Sequence, residues 1–181
     1  MEFALFSAIQ EQQLVCFTGR INLLKSETKE SIGDLLLMDG LIVNAKFQEL
    51  SPMKALYSLT SLYQTDKNNI SLIIEPELLA IEKKKIDFPH LVIIRKITEG
   101  FEQAAKSSSN RPPDKLKLRI NSAFIRNGGE VSPAEYALLC TISDYNLVKD
   151  IYHYSELFDY EITDILVNLR KKDALRVIEV K

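Results

Sequence analysis

The sequence predicts an α+β chain: an N-terminal antiparallel sheet with covering helices, followed by a small three-helix domain. Three observations carry this. An Asp39-Gly40 turn joins two apolar, strand-like runs and favours a tight primed hairpin, because glycine accepts positive φ without a Cβ penalty. The run after the turn alternates, with Leu41, Val43, Ala45 and Phe47 on one face and Ile42, Asn44 and Lys46 on the other. Later, three segments with helical apolar spacing follow a Ser-Pro-Ala-Glu phrase at 132–135, and a short β-branched run closes the chain.

Taken in order, residues 3–10 read as a short helix with Phe3, Phe6 and Ile9 on one side, with the Leu14-Val15-Cys16-Phe17 run competing for a strand. Thr18-Gly19-Arg20 breaks the pattern. Residues 21–25 read as a strand, 26–30 as a polar turn and 31–38 as the first arm of the hairpin. Ser51-Pro52 supplies an N-cap and a first-turn proline to a helix over 52–63, where Met53, Leu56, Leu59 and Tyr63 recur at helical spacing. A polar loop at 64–69 leads to a strand over 70–74 that Glu75-Pro76 ends. A hairpin-linked sheet with one apolar face needs a helical layer to shield it.

Residues 77–87 are charged and lysine-rich and read as a connector. A longer helix over 89–106 follows, with Pro89 in its first turn and Leu91, Ile94, Ile97, Phe101 and Ala104 as its stripe; Gly100 weakens it. That stripe is expected to cover the sheet or to meet a partner. The Ser-Ser-Ser-Asn-Arg-Pro-Pro run at 107–113 can neither continue a helix nor pack well, so it marks a linker. After a strand at 116–120 and a turn at Asn127-Gly128-Gly129, Ser132 and Glu135 form a capping-box signature, and Tyr136, Leu139 and Cys140 are the expected buried side of that helix. A short helix over 146–152 and a third from Asp159, carrying Ile162, Ile165, Leu166 and Leu169, precede a strand over 175–180. This order resembles a winged-helix fold reduced to its core. The expected domains are therefore 1–83, a connecting helix and linker over 84–113, and a winged-helix-like domain over 114–181.

At 181 residues with 46% apolar content, the chain has enough hydrophobic mass for a core in each domain. Its longest apolar runs fall far short of the roughly 20 residues that span a bilayer. The acidic Met-Glu-Phe start has no signal-peptide pattern, so cytoplasmic residence is the expectation. Cys16 and Cys140 stand in Leu-, Val- and Ile-rich surroundings and are expected to act as small buried hydrophobes.

No reaction is announced. His90 and His153 lack a Cys or second His at metal-ligand spacing, Gly128-Gly129 lacks the flanks of a phosphate-cradling loop, and no nucleotide-binding glycine motif occurs. The acidic pairs Asp159/Glu161 and Glu75/Glu77 sit at a helix start and a strand end, where carboxylates serve dipoles or stay solvated. A non-enzymatic protein without metal or cofactor is the expectation. Three helices and a strand is also the layout of many DNA readers, but the net charge of −2 is unevenly spread: residues 84–130 hold 10 Lys/Arg against 5 Asp/Glu, and residues 131–181 hold 6 against 9. The would-be recognition helix opens with Asp159, Glu161 and Asp164, against what a phosphate backbone requires, and Arg170-Lys171-Lys172 lies at its far end.

The order Thr18-Gly19-Arg20-Ile21, Ile32-Gly33-Asp34-Leu35 through Met38-Asp39-Gly40-Leu41-Ile42-Val43-Asn44-Ala45, then Lys54-Ala55-Leu56-Tyr57-Ser58-Leu59, resembles the bacterial PATAN family. That family has a Thr-Gly start, a hairpin ending in Asp-Gly-x-Ile-Val-x-Ala and an Ala-Leu helix. The match covers about the first 75 residues, and Asn44 stands where many members carry histidine. The capped three-helix tail is similar to the segment that often accompanies such domains. The resemblance implies a signalling or scaffold protein that works with two-component receivers, small GTPase polarity systems, or type IV pilus and gliding machinery. The expected role is thus a cytoplasmic bacterial adaptor binding a protein partner, the alternative a DNA-binding regulator using the tail, with self-association left open. Candidate contact residues are Asn44 and Lys46 on the hairpin and Arg95 and Lys96 on the 89–106 helix.

Overall fold

The computed structural model describes residues 3–178, apart from the side chains of Ala105 and Ser108. The chain is mixed α+β and divides into two compact units, Met1–Glu99 and Gly100–Lys181. The division falls inside a helix that the sequence assigns to a connector.

Unit one opens with helix α1 (Ala4–Leu14), longer than the periodicity predicts. The strand tendency of the 14–17 run is not realised: Val15 and Cys16 turn the chain, Cys16 in the left-handed region at φ +49°. Strands β1 (Gly19–Lys25), β2 (Ser31–Met38), β3 (Leu41–Lys46) and β4 (Ile70–Pro76) form one antiparallel sheet in the order β3-β2-β1-β4. The hairpin turn is as expected, with Asp39 at φ +51° and Gly40 at φ +78°, the two positive angles of a type I′ turn. Helix α2 (Pro52–Thr65) lies over the sheet. Gly33 lets it approach, since a Cβ there would stand 2.9 Å from the Leu59 side chain. Buried Leu5, Phe6 and Ile9 of α1 and Leu56 and Leu59 of α2 join Ile21, Leu23, Leu35 and Leu37 of the strands in the core. Burial on this scale is the main stabilising term, at roughly 1.5–3 kcal/mol per large side chain.

The strict alternation predicted for β3 does not hold. Leu36 pairs with Asn44 but Leu37 with Ile42, so Val43 is an unpaired bulge. Ile42 therefore joins Ala45 on the helix-covered face, while Leu41 is exposed.

Helix α3 (His90–Ser107) buries Ile97 of the predicted stripe, but its other buried positions, Ile93 and Gly100, lie one residue before the expected Ile94 and Phe101, and Leu91 is 79% exposed. His90 shares that face. Its ring meets Phe6 edge-on at 6.1 Å, both ring nitrogens are buried, and neither has a hydrogen-bond partner among the described residues. Burial pulls its pKa below the usual histidine value.

Unit two comprises β5 (Lys117–Ile120), α4 (Ser122–Arg126), α5 (Pro133–Asp144), α6 (Val148–Tyr154), α7 (Asp159–Lys171) and β6 (Leu175–Ile178). β5 and β6 pair as a two-stranded antiparallel sheet, and Lys117 makes an isolated bridge with Leu147. The expected extension of β6 to Val180 lies outside the described residues. The core gathers Leu138 and Ile142 of α5, Ile151 and Tyr152 of α6, and Ile162, Leu166 and Leu169 of α7. The predicted capping box is present: Ser132 Oγ accepts from Glu135 N at 3.2 Å and Glu135 Oε2 from Ser132 N at 2.7 Å. The 107–113 run is not the loose linker its composition suggests. Arg111 lies 4.1 Å from the Tyr152 ring centroid and donates to Asp159 at 3.0 Å and Asp114 at 3.1 Å, which anchors the run to its own unit.

Ser132→Ala removes a satisfied cap and should cost about 1 kcal/mol in urea unfolding of the full chain. Ser51 sits at the α2 N-cap, but its Oγ is buried and has no hydrogen-bond partner among the described residues, so Ser51→Ala should change stability by less than about 0.5 kcal/mol, and toward stabilisation. His90 gives a pH signature. Its folded pKa is depressed, so the stability tied to the neutral ring is complete above its unfolded value of about 6.5 and is lost as pH falls toward the folded value. Thermal melts from pH 8 to about 5 should therefore fall more steeply for the native chain than for His90→Phe.

Candidate functional site

The polar face of the first sheet is closed by its own chain. Beyond β4, residues 77–86 return across it as a strap. Glu77 Oε2 accepts from Arg20 Nη2 at 2.9 Å and Nε at 3.0 Å, while its Oε1 takes Lys83 Nζ at 2.7 Å. These bonds, to Lys83 first and Arg20 second, hold the Glu77 carboxyl below the usual carboxylate range. Asp34 adds a longer pairing with Arg20, 3.5 Å. The strap ends on the open edge of β3, where Lys85 N and Ile86 N both donate to Val43 O at 2.8 Å. The Val43 bulge is what leaves that carbonyl available.

This strap disposes of one predicted contact residue. Asn44 is buried: its Nδ2 donates to Lys83 O at 2.9 Å and its Oδ1 accepts from Ala45 N at 2.9 Å. It is a staple, not a contact surface. Lys46 is exposed and stands opposite Asp34 in the strand register. Arg95 is exposed and pairs with Glu99 at 3.5 Å, and Lys96 covers the Phe88 ring at 4.9 Å. No hydrogen bond or ion pair among the described residues joins the hairpin residues to Arg95 or Lys96.

An unpredicted surface lies in the second unit. Sequence periodicity assigns Tyr136, Leu139 and Cys140 to the core, but α5 turns Glu135, Leu138, Leu139 and Ile142 inward, leaving Tyr136 63% exposed and Cys140 exposed. Leu139 is in the core as expected, while Tyr136, Cys140 and Ser143 beside it line one wall of an apolar cleft of about 350 Å³, faced by Ile120, Phe124, Ile125 and Val131. Gly128, at φ +68°, turns the chain at its mouth, and a Cβ at Gly129 would collide with the Phe124 ring. Ile125 is 57% exposed at the rim. Cys16 is likewise exposed, so neither cysteine is the buried hydrophobe expected.

A second hollow, of about 380 Å³ beside Ile32 and Ile70, is lined in part by Lys25, which pairs with Glu30 at 2.7 Å, and by Asp66, which accepts from Asn69 at 2.6 Å. Among the described residues no three His, Cys, Asp or Glu side chains gather as a metal site. The acidic pairs are all engaged: Asp159 with Arg111, Glu161 with the Phe158 N–H at 2.8 Å, Glu75 with Asn22 at 2.6 Å, and Glu77 as above. No described helix is long and apolar enough to cross a membrane. Comparison with protein-family models, curated proteins and solved structures finds no match.

If Asn44 staples the strap, Asn44→Ala leaves the Lys83 carbonyl without its partner and should cost about 1–3 kcal/mol. Limited proteolysis should then cut within residues 77–86 sooner than in the native chain. Unchanged stability and cleavage would show the strap to be held by other means.

Proposed function

We propose that the chain is a non-enzymatic cytoplasmic bacterial signalling adaptor, a PATAN-like sheet domain followed by a winged-helix-like domain, that binds a protein partner through the apolar cleft beside α5. One observation carries the reading: the face with Tyr136, Cys140 and Ile125 stays exposed although its residues are of core type, and a concave apolar surface is suited to a protein side chain. The order α5, the Leu147 bridge, α6, α7 and β6 supports the winged-helix reading. The partner classes are those the family resemblance implies: a receiver domain, a small GTPase polarity system, or pilus and gliding machinery.

That helix order also supports a second reading, a DNA-binding regulator using α7. Electrostatics opposes it, because Asp159, Glu161 and Asp164 occupy the end of α7 that would approach phosphate.

Cys140 supplies the test. The full chain with Cys16→Ser and a photoreactive label on Cys140 should cross-link one protein in extracts of its native cells. Tyr136→Asp or Ile125→Asp should lower that capture by about tenfold or more. Equal capture by the variants, or none by the native surface, would overturn the cleft as the contact, and submicromolar duplex binding that weakens steeply with salt would favour the regulator.

A further inference from the structure

β4 is the outermost strand on its side of the sheet, and the register identifies its outer backbone groups. Ser26 N donates to Asn69 O at 2.8 Å, and the same register continues without a shift from Lys25↔Ile70 to Gly19↔Pro76. In an antiparallel ladder a residue turns both its N–H and C=O to one neighbour, and the next residue turns away. Ser71, Ile73 and Glu75 therefore address β1, while Ile70, Leu72, Ile74 and Pro76 address the outside. Pro76, with no N–H to give, occupies an outward position as this phase requires. No hydrogen bond among the described residues reaches the outward groups of Leu72 or Ile74.

Open strand edges are usually guarded by lysine, a bulge or a covering segment. β3 has such a cover, since the strap occupies Val43. On β4 the guards, Glu75 and Pro76, stand at one end, while residues 70–74 carry no charge and Ile73 and Ile74 are 39% and 40% exposed. Laid antiparallel on itself about Ile73, this strand places Leu72 opposite Ile74 of a second copy, so that both outward pairs exchange hydrogen bonds. Ile73 then meets its own copy as a close apolar pair, and Ser71 meets Glu75. No like charges oppose each other. Because the pairing is isologous, it uses the β4 edge of both copies and stops at two instead of growing into a filament.

We infer that two copies of this chain associate through antiparallel pairing of β4 with β4 about Ile73, forming one continuous sheet across the dimer. A single strand pair buries less than the roughly 1,200 Å² of a standard interface, so the association is weak and concentration-dependent.

Sedimentation velocity of the full chain from about 10 μM to about 1 mM should show a reversible monomer–dimer equilibrium. Ile73→Glu and Ile73→Lys place like charges at the two-fold, and each alone should be monomeric. An equimolar mixture of the two should dimerise at low salt. Ile74→Pro removes an outward N–H, leaves the β1 ladder intact, and should weaken dimerisation by about tenfold or more. Circular dichroism checks that each variant is folded. A native chain that stays monomeric throughout, variants that dimerise like the native chain, or a charge-paired mixture that stays monomeric would each overturn the inference.

Discussion

A four-stranded antiparallel sheet presents two faces and two edges, and every backbone group on them must be covered, paired or left to water. The first unit meets this constraint unevenly, and most of its features follow from that. Hydrophobic burial against α1 and α2 answers one face. The other face is polar, held by Arg20, Asp34, Asn44 and the returning strap, and the strap also takes the β3 edge at Val43. At the β4 edge no hydrogen bond among the described residues reaches the outward groups of Leu72 or Ile74.

The strap joins energetics to function. Its ion pairs at Glu77 are exposed enough to be individually weak, so its position relies more on the buried Asn44 bond and on Ile86, which is 1% exposed. Those two anchors hold residues that composition alone marks as a solvated lysine-rich connector. In the second unit Arg111 does similar work, stacking on Tyr152 and binding Asp159 from within a run that looks like a loose linker.

What was legible in the sequence was local. The Asp39-Gly40 turn, the Ser132–Glu135 capping box and the four strands depend on neighbours within a few residues, and they form where the pattern places them, with β1 starting two residues earlier and β4 ending two residues later than read. What was not legible depends on distant partners. The Val43 bulge is set by the register of β2, and the fate of Asn44 by Lys83, 39 positions away. On α3 only Ile97 of the predicted stripe keeps its place at the centre of the buried face, because apolar residues on that helix satisfy more than one face. The same ambiguity hid the cleft: Tyr136 and Cys140 share the spacing of a core stripe with the buried Leu139, and periodicity cannot tell a covered apolar face from an uncovered one. Of the four contact residues read from sequence, Asn44 is interior, while Lys46, Arg95 and Lys96 remain on the surface without forming a common site.

The central claim is that the chain closes one sheet edge with its own strap and leaves the other open. Residue-resolved amide hydrogen exchange on the dilute full chain tests it most directly. The Lys85 and Ile86 amides should be protected like those of Ser71, Ile73 and Glu75, while Leu72 and Ile74 exchange as fast as exposed loop amides. Free exchange at Lys85 and Ile86, or strong protection of Leu72 and Ile74 in dilute solution, would contradict it.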